Sequence, residues 1–355
     1  MKSAFSTCAI IFSVFFMISL GLGYATLNRF DPVAIEGLRD IAFYADVVRN
    51  GPVFQDEQTA GIQRRILMPA IGHLVYVMLP HLGSWNAISV ALLLVNSAFT
   101  ALSVVLIFDM TYRFYTDVSI ALVAGFLFVT SFFVTNSYLV GSVDAAYGFF
   151  FLVLYSSLLR EKWNHLPIIM CFGCLAKEVF LPVGGAFVLF ALLHRVFTLR
   201  GIPWAQFVPV FLMLLSGGVT IVVTNYFILG SISPPWAMLP VVDSDVEQFG
   251  FDVGVFVESI ALELLRFFLS LGLLVILGLC SMRSLPLWFL VGNSGAVFMV
   301  LSLGAYISLG GANVTGADYA RFVFSPAALL LCSASAATLC GIKLKFGRHA
   351  NDTST

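Results

Sequence analysis

Long apolar segments recur along this chain and are separated by short polar ones. They lie at residues 4–27, 86–108, 118–140, 145–159, 206–229, 257–280, 286–309 and 322–342. A membrane-spanning helix needs about 20 mostly apolar residues. Only 10% of the residues are charged, whereas soluble domains are about 25% charged. The sequence therefore predicts an all-α, polytopic transmembrane helical protein with about eight full spans, forming a single membrane domain at residues 1–342.

The charge balance and the cysteines exclude several classes of protein. The formal net charge is −1, which gives no indication of nucleic-acid binding. The apolar segments make the lipid bilayer the predicted environment of most of the chain. The six cysteines fall almost wholly inside apolar runs, where free cysteine behaves as a small hydrophobic residue. No disulfide framework is expected.

Basic residues discriminate between two topologies, because the segments at 66–80 and 166–193 are ambiguous as spans. Cytoplasmic loops collect Lys and Arg. If 66–80 lies in the outer interface and 166–193 enters the membrane and returns, ten basic residues lie inside against four acidic ones. If both segments instead cross the membrane fully, three of those ten basic residues lie on the outer side. We therefore predict that both termini are cytoplasmic, with an outer loop carrying interfacial helices at 28–85 and a short cytoplasmic polar tail at 343–355.

The segment at 166–193 is predicted to be a broken hairpin. At 1.5 Å per residue, 166–176 reaches about 16 Å and 179–193 about 22 Å, both short of the roughly 30 Å hydrocarbon core. Each arm is therefore expected to be a half-helix. Non-helical backbone at membrane depth is tolerated where it lines a protein cavity or water, so the break should mark such a cavity.

Lys177 and Glu178 occupy this break and are the most costly residues of the chain to bury. A charge near mid-membrane costs at least about 2.5–3.5 kcal/mol. Adjacent helical residues point about 100° apart and cannot simply neutralise each other. Lys177 is expected to face an anionic ligand or a distant carboxylate, and Glu178 to face the cavity or an arginine. The alternative to a functional role is a structural ion-pair network.

The first outer loop contains candidate catalytic acids. Apolar residues recur there at three- and four-residue spacing, which predicts an amphipathic helix on the membrane surface. Asp40 and Tyr44 are four residues apart and share one edge of that helix. Partial desolvation raises the pKa of a carboxyl group, so Asp40 is a candidate general base. A solvated helix face is the simpler interpretation.

Three arginines and a further acid lie at the predicted outer ends of apolar segments. Arg64 and Arg65 precede one segment, and Arg321 lies at the start of the last span. Guanidinium groups bind phosphate oxygens in a forked geometry, so these arginines are candidate lipid-phosphate ligands, or simply interfacial anchors. Asp144 either caps the helix that follows it or faces the same outer cavity as Asp40.

In chain order, these features resemble the integral-membrane glycosyltransferases of the GT-C type. The similarity is in layout: a long outer loop with Asp40-x-x-x-Tyr44, the arginine-rich "RRILMP", an acid at an outer turn, a broken hairpin with "AKE", and a late "YARFVFSP". The resemblance implies transfer of a sugar from a polyprenyl-phosphate donor to an unknown acceptor. It also implies a bacterial inner (plasma) membrane protein whose site faces outside.

Carried over to this chain, the resemblance gives two groups of residues. The catalytic candidates are Asp40, Asp46 and Asp144. The substrate-binding candidates are Tyr44, Arg64, Arg65, Lys177, Glu178 and Arg321. A divalent cation is the one cofactor to consider, and the metal ligands stay open because no Asp-Glu or Asp-x-Asp lies beside Tyr44.

Two other classes of membrane protein fit the same features. A transporter or lipid flippase would also need a broken helix with charges inside the membrane, although polar residues here cluster toward one face and no inverted repeat is visible. A non-catalytic membrane assembly subunit is the other alternative. Charged residues meeting in one outward-facing cavity would favour the transferase.

Overall fold

The computed structural model describes residues 2–27, 39–52, 65–79, 86–199, 204–229, 253–282, 285–309 and 319–352, and within these ranges it contains helices, two short 3-10 turns and no β-strand. The helices are α1 (Lys2–Leu27), α2 (Arg39–Asn50), α3 (Leu67–Met78), α4 (Ala87–Tyr115), α5 (Val118–Val129), α6 (Phe132–Asn136), α7 (Asp144–Leu159), α8 (Leu166–Ala176), α9 (Phe180–Leu199), α10 (Trp204–Leu229), α11 (Val253–Ser281), α12 (Leu287–Leu309) and α13 (Tyr319–Asp352).

Six helical segments of the described residues are long and apolar enough to cross a membrane: α1, α4, α5 together with α6, α9, α10 and α13. The prediction of an all-helical membrane protein is confirmed at this level. The number of about eight spans stays a prediction. Helix α7 has only 16 residues, and the described apolar stretches of α11 and α12 are shorter than a span.

The last helix continues into the predicted polar tail. That tail was predicted from residue 343, and it is helical as far as Asp352, where α13 ends. Lys343 and Lys345 are good helix formers, so the change in polarity does not itself end the helix. Residues 343–352 therefore extend α13.

Helix α4 lies at the centre of the described helices. It is capped at its start by Asn86, whose side-chain oxygen accepts hydrogen bonds from the backbone N–H groups of Ile88 and Ser89 at 3.0 and 3.3 Å. The first half of α4 contributes Leu92 to a small apolar cluster shared with α2 and α3, and the second half contributes Val104 to the main core. It thus joins the surface helices to the bundle.

Ion pairs identify one end of the bundle, which we call the Asp109 end. Asp109, near the end of α4, accepts from Arg113 at 3.0 Å and from Arg160, just after α7, at 2.7 Å. Arg195, near the end of α9, pairs with Glu161 at 2.7 Å. The C-terminal ends of α4, α7 and α9 therefore lie at one end. The opposite end, where α7 begins, is called the Asp144 end.

Helices α8 and α9 form a hairpin that leaves the Asp109 end and returns to it. Helix α8 has 11 residues and reaches about 16 Å, and it ends at the break formed by residues 177–179. The second arm corrects the expectation of two half-helices. Helix α9 has 20 residues and reaches about 30 Å, because the helical hydrogen bonds continue past residue 193 as far as Leu199.

The hairpin is closed by an aromatic ring lying on a glycine. A Cβ atom added to Gly173 in α8 would overlap the ring of Phe180, the first residue of α9. That ring is fully buried and packs against the rings of Tyr147 and Phe151. It has no free space to move into, so the absence of a side chain at position 173 lets the two arms meet.

Gly173→Ala is expected to lower the free energy of unfolding by about 1–3 kcal/mol, the usual cost of overpacking a closely packed interior. Gly218→Ala in α10 is the matched control, because a Cβ there meets no atom within 4 Å. Thermal unfolding of both variants in detergent checks this. An unchanged midpoint for Gly173→Ala would show that the hairpin closes in another way.

Glu161 lies in the connection between α7 and α8, at the Asp109 end. Partial burial alone raises the pKa of its carboxyl group, but hydrogen bonds from Arg195 and Trp163 outweigh this and hold the pKa below its ordinary value. A lowered pKa means that the ionised form is stabilised by folding. This stabilisation is present above the pKa of the unfolded chain and is lost as the pH falls through the folded pKa.

Glu161→Gln is accordingly expected to be slightly less stable than the parent at neutral pH. The difference should begin to shrink as the pH falls below about 4.3, the ordinary glutamate value, and disappear once the pH lies below the lowered pKa of the folded protein. Unfolding midpoints measured from pH 7 to pH 3 for both proteins provide the check. A difference that persists unchanged at the lowest pH would mean that Glu161 acts through packing rather than charge.

Candidate functional site

A buried ion pair joins the first residue of α7 to the hairpin break. The Nζ atom of Lys177 lies 2.5 Å from Oδ1 of Asp144, and each side chain is only 1% exposed. Lys177 follows directly after α8, where the helix ends and the backbone becomes extended. Of the partners expected for this lysine, the structure selects the distant carboxylate.

Two hydroxyl groups also donate to Asp144. Its Oδ2 atom accepts hydrogen bonds from Ser137 at 2.8 Å and from Ser142 at 2.6 Å. With Lys177, the carboxylate accepts from three donors among the described residues. The ring of Tyr147, one turn into α7, lies with its centroid 5.5 Å from the Lys177 ammonium, within cation–π range. The lysine is therefore fixed on two sides.

A second ion pair lies beside the first. Glu178 accepts from Arg65 in a forked geometry, with Nη2 at 2.8 Å from Oε1 and Nε at 3.0 Å from Oε2. Arg65 also donates from Nη1 to the Tyr44 hydroxyl oxygen at 3.3 Å. The side chains of Arg65 and Glu178 are 16% and 11% exposed. This pair is thus more accessible than the sealed pair next to it.

Helix α2 is held over this region by α3. The side chain of Val48 packs against Gly72, where an added Cβ would come within 2.9 Å of it. The Nδ1 atom of His73 lies 2.8 Å from the carbonyl oxygen of Val48, one of the carbonyls that the end of α2 leaves without a helical partner. This seating buries Tyr44 and directs its hydroxyl group to Arg65.

These contacts bring five of the predicted site residues together in what we call the hairpin-tip cluster: Tyr44, Arg65, Asp144, Lys177 and Glu178. The cluster contains two cations and two carboxylates and is formally neutral. Because Lys177 and Glu178 are consecutive, the two ion pairs meet at the same break. An incoming anion could replace a carboxylate as the partner of either cation, most readily at the more accessible Arg65.

The other predicted site residues either lie away from this cluster or have side chains outside the described part of the chain. Asp46 is exposed on the face of α2 opposite Tyr44 and accepts a hydrogen bond from Asn50 at 2.7 Å. Asp40 lies one helical turn before Tyr44 in α2, and Arg321 is the third residue of α13, but both side chains lie outside the described residues. Arg64 lies wholly outside them.

The described residues contain no group of three or more His, Cys, Asp or Glu side chains arranged to hold a metal ion. In the hairpin-tip cluster, both carboxylates instead have cationic partners. The divalent cation considered from the sequence stays a prediction.

Sequence reasoning did not include three residues of this site. Ser137 and Ser142 hold the second oxygen of Asp144, and the Tyr147 ring lies beside Lys177. Two of them belong to the "GSVDAAYG" segment that carries Asp144. Polar residues within one turn of a buried acid were the available signal, since a buried carboxylate needs hydrogen-bond donors.

A comparison of the chain with protein-family models, with characterised proteins and with solved structures finds no match. The function therefore has to be inferred from the chemistry of the site itself.

Lys177→Met and Asp144→Asn should each destabilise the protein by about 3–5 kcal/mol, because each leaves a buried charge without its partner. The double variant should cost less than the sum of the two, by up to about 3 kcal/mol of coupling energy. The check is a double-mutant cycle, in which the free energy of unfolding in detergent is measured for the parent, the two single variants and the double variant.

The exposed pair of Arg113 and Asp109 is the matched control for this cycle, with side chains 48% and 29% exposed. Arg113→Gln and Asp109→Asn should each cost only about 0–1 kcal/mol. Strictly additive costs at Lys177 and Asp144 would contradict a coupled buried pair.

Proposed function

We propose that this chain is a GT-C-like membrane glycosyltransferase, which moves a sugar from a polyprenyl-phosphate donor to an acceptor on the extracytoplasmic face. The observation that carries the proposal is the hairpin-tip cluster, in which Lys177 lies at a break between two helices and Arg65 contacts both Glu178 in that break and Tyr44 of α2. A lipid-linked phosphate needs cations at this kind of boundary, with apolar surface beside them for its isoprenoid chain.

In this proposal the donor phosphate binds first at Arg65. Its guanidinium already makes a forked pair with the Glu178 carboxylate, and a phosphate presents oxygens that suit the same geometry. Lys177 lies behind it and adds positive charge. As the bond from the sugar to the phosphate breaks, negative charge builds on the leaving phosphate, and both cations stabilise it. Arg64 and Arg321 are proposed as further phosphate ligands.

A carboxylate must take the proton of the acceptor hydroxyl group as its oxygen attacks the sugar. Asp40 is proposed for this role, because its position in α2 shares a face with Tyr44, and Asp46 is the substitute. Asp144 accepts from three donors of the described residues and is buried, so it suits the task of holding Lys177 rather than of accepting a proton. The acceptor and the sugar are left open.

The sequence itself favours a transferase over a transporter. No inverted repeat is visible along the chain, whereas a transporter with a broken helix is expected to bind its substrate between two repeated halves.

The proposed orientation places the Asp144 end outside and both termini in the cytoplasm. Its support is the distribution of positive charge. Arg113, Arg160 and Arg195 all lie at the Asp109 end, where their ion pairs place them. Cytoplasmic segments collect basic residues, so the Asp109 end is the proposed cytoplasmic end.

The proposal is tested by incubating the purified protein, in lipid nanodiscs, with a panel of polyprenyl-phosphate sugars and measuring both donor binding and release of polyprenyl phosphate. Asp40→Asn should reduce turnover by about 100-fold or more while donor binding is retained, because only the proton acceptor is lost. Arg65→Gln should weaken donor binding by about tenfold or more, the value of one charge-assisted contact.

Arg113→Gln, at the opposite end of the bundle, is the control and should match the parent in both measurements. Addition of EDTA to the same assay reports whether a divalent cation takes part. Turnover that is unchanged in both Asp40→Asn and Arg65→Gln would contradict the site assignment. Failure of the parent protein to bind any donor of the panel would contradict the proposed substrate class.

A further inference from the structure

A second group of charged side chains lines a cavity at the Asp109 end, far along α7 and α9 from the hairpin-tip cluster. It is a cavity of about 230 Å³ between the start of the hairpin, the end of α9 and the beginning of α12. The side chains that give it chemical character are Glu161, Trp163, His194, Arg195, Thr198 and Trp288. The cavity therefore combines an acid, two bases and two indole rings at one end of a membrane bundle.

The acid and the arginine of this cavity are preorganised. Arg195 donates from Nη1 to both carboxylate oxygens of Glu161, at 2.8 and 2.7 Å, and the indole Nε1 of Trp163 donates to the same carboxylate at 3.0 Å. The guanidinium carbon of Arg195 lies 5.8 Å from the centroid of the Trp163 ring, within cation–π range. Both charged groups are thus held in place before any ligand arrives.

Donors remain available on the basic side of the cavity. Only Nη1 of Arg195 has an acceptor among the described residues, so Nη2 and Nε can still donate. The imidazole of His194 also has no hydrogen-bond partner within the described part of the chain, although its ring lines the cavity. An acceptor with several oxygens, such as a phosphate, suits this arrangement.

The surroundings of the cavity are apolar and exposed. On α9, Leu193 and Phe197 flank His194 and Arg195, with 50% and 79% of their surfaces exposed. At about 230 Å³ the cavity is smaller than the roughly 300–1,000 Å³ of pockets for drug-sized ligands. A compact headgroup fits inside, while acyl chains have to lie along the exposed side chains of α9.

We infer that this cavity binds the headgroup of a zwitterionic phospholipid carrying an ammonium group and a phosphate. The phosphate binds Nη2 and Nε of Arg195 and the imidazole of His194. The ammonium binds the Glu161 carboxylate, whose side chain is 57% exposed, and the face of the Trp288 indole. Because Glu161 and Arg195 neutralise each other, the cavity matches a zwitterion better than an anionic lipid.

This site does not depend on the proposed transferase activity, since it shares no residue with the hairpin-tip cluster. It belongs to the proposed cytoplasmic end, where α9 leaves the hydrocarbon region. A bound lipid there would contact both α9 and the connection before α8, and would so stabilise the hairpin at its Asp109 end.

Native mass spectrometry of the full-length, delipidated protein tests the inference, with phosphatidylethanolamine and phosphatidylglycerol added separately. Phosphatidylethanolamine should be retained about tenfold more than phosphatidylglycerol, the effect of one extra charge-assisted contact. Glu161→Gln should lose that preference, because it removes the partner of the ammonium group, and Arg195→Gln should weaken retention of both lipids, because both carry the phosphate. Arg113→Gln, which removes a basic residue from the same end outside the cavity, should keep the preference.

Two further arms separate the possible sources of the headgroup chemistry and guard against a folding defect. Soluble phosphoethanolamine and inorganic phosphate are tested as competitors, and competition at equal concentration would identify a soluble ligand and overturn the lipid assignment. Thr198→Trp fills the cavity while Glu161 and Arg195 both remain in the chain, and it should also abolish the preference. Equal retention of the two lipids by the parent protein, or unchanged retention by Thr198→Trp, would contradict the inference.

Discussion

The need to pair a buried ammonium group governs the arrangement of this protein. Lys177 interrupts an apolar segment, and a charge in such surroundings is tolerated only with a partner of opposite sign. Asp144 supplies that partner from the first residue of α7, at 2.5 Å. The pair fixes the level at which α8 ends, and therefore where the chain turns back into α9.

The second ion pair follows from the first. Once Lys177 is fixed, Glu178 leaves the break in a different direction and meets Arg65. Arg65 in turn contacts Tyr44, so the surface helix α2 is connected to the hairpin through a continuous series of polar contacts. A carboxylate, a guanidinium and a phenol are thus linked at the helix break, and the proposed binding of a lipid-linked phosphate rests on this arrangement.

Local sequence patterns predicted part of this site. The break at 177–179 was predictable because two adjacent charges in an apolar run cannot both continue a buried helix. For Lys177 and Glu178, the sequence predicted only the kind of partner, a ligand or a distant group of opposite charge, and not which residue it would be. Asp144 is 33 positions from Lys177 in the sequence, and Arg65 is 113 positions from Glu178. Pairings at such separations depend on how the helices pack, and no local pattern encodes them. The length of α9 was underestimated because the helix continues beyond residue 193 to Leu199.

The two ends of the bundle have different chemistry. At the Asp144 end the ion pairs are buried and close a helix break, whereas at the Asp109 end they are exposed and tie helix termini together. The hairpin of α8 and α9 connects the two ends. The inferred lipid site lies where the hairpin meets the Asp109 end, and the proposed donor site lies at the break between its two helices, so the same hairpin would carry both sites.

The most direct measurement is photo-crosslinking with a polyprenyl phosphate that carries a diazirine beside the phosphate, followed by peptide mapping of the full-length protein in nanodiscs. The account predicts labelling of α2, of residues 65–79 or of the break at 177–179, with suppression by excess unmodified polyprenyl phosphate. Labelling confined to the Asp109 end, or labelling that the competitor does not reduce, would contradict the assignment of the hairpin-tip cluster as the donor site.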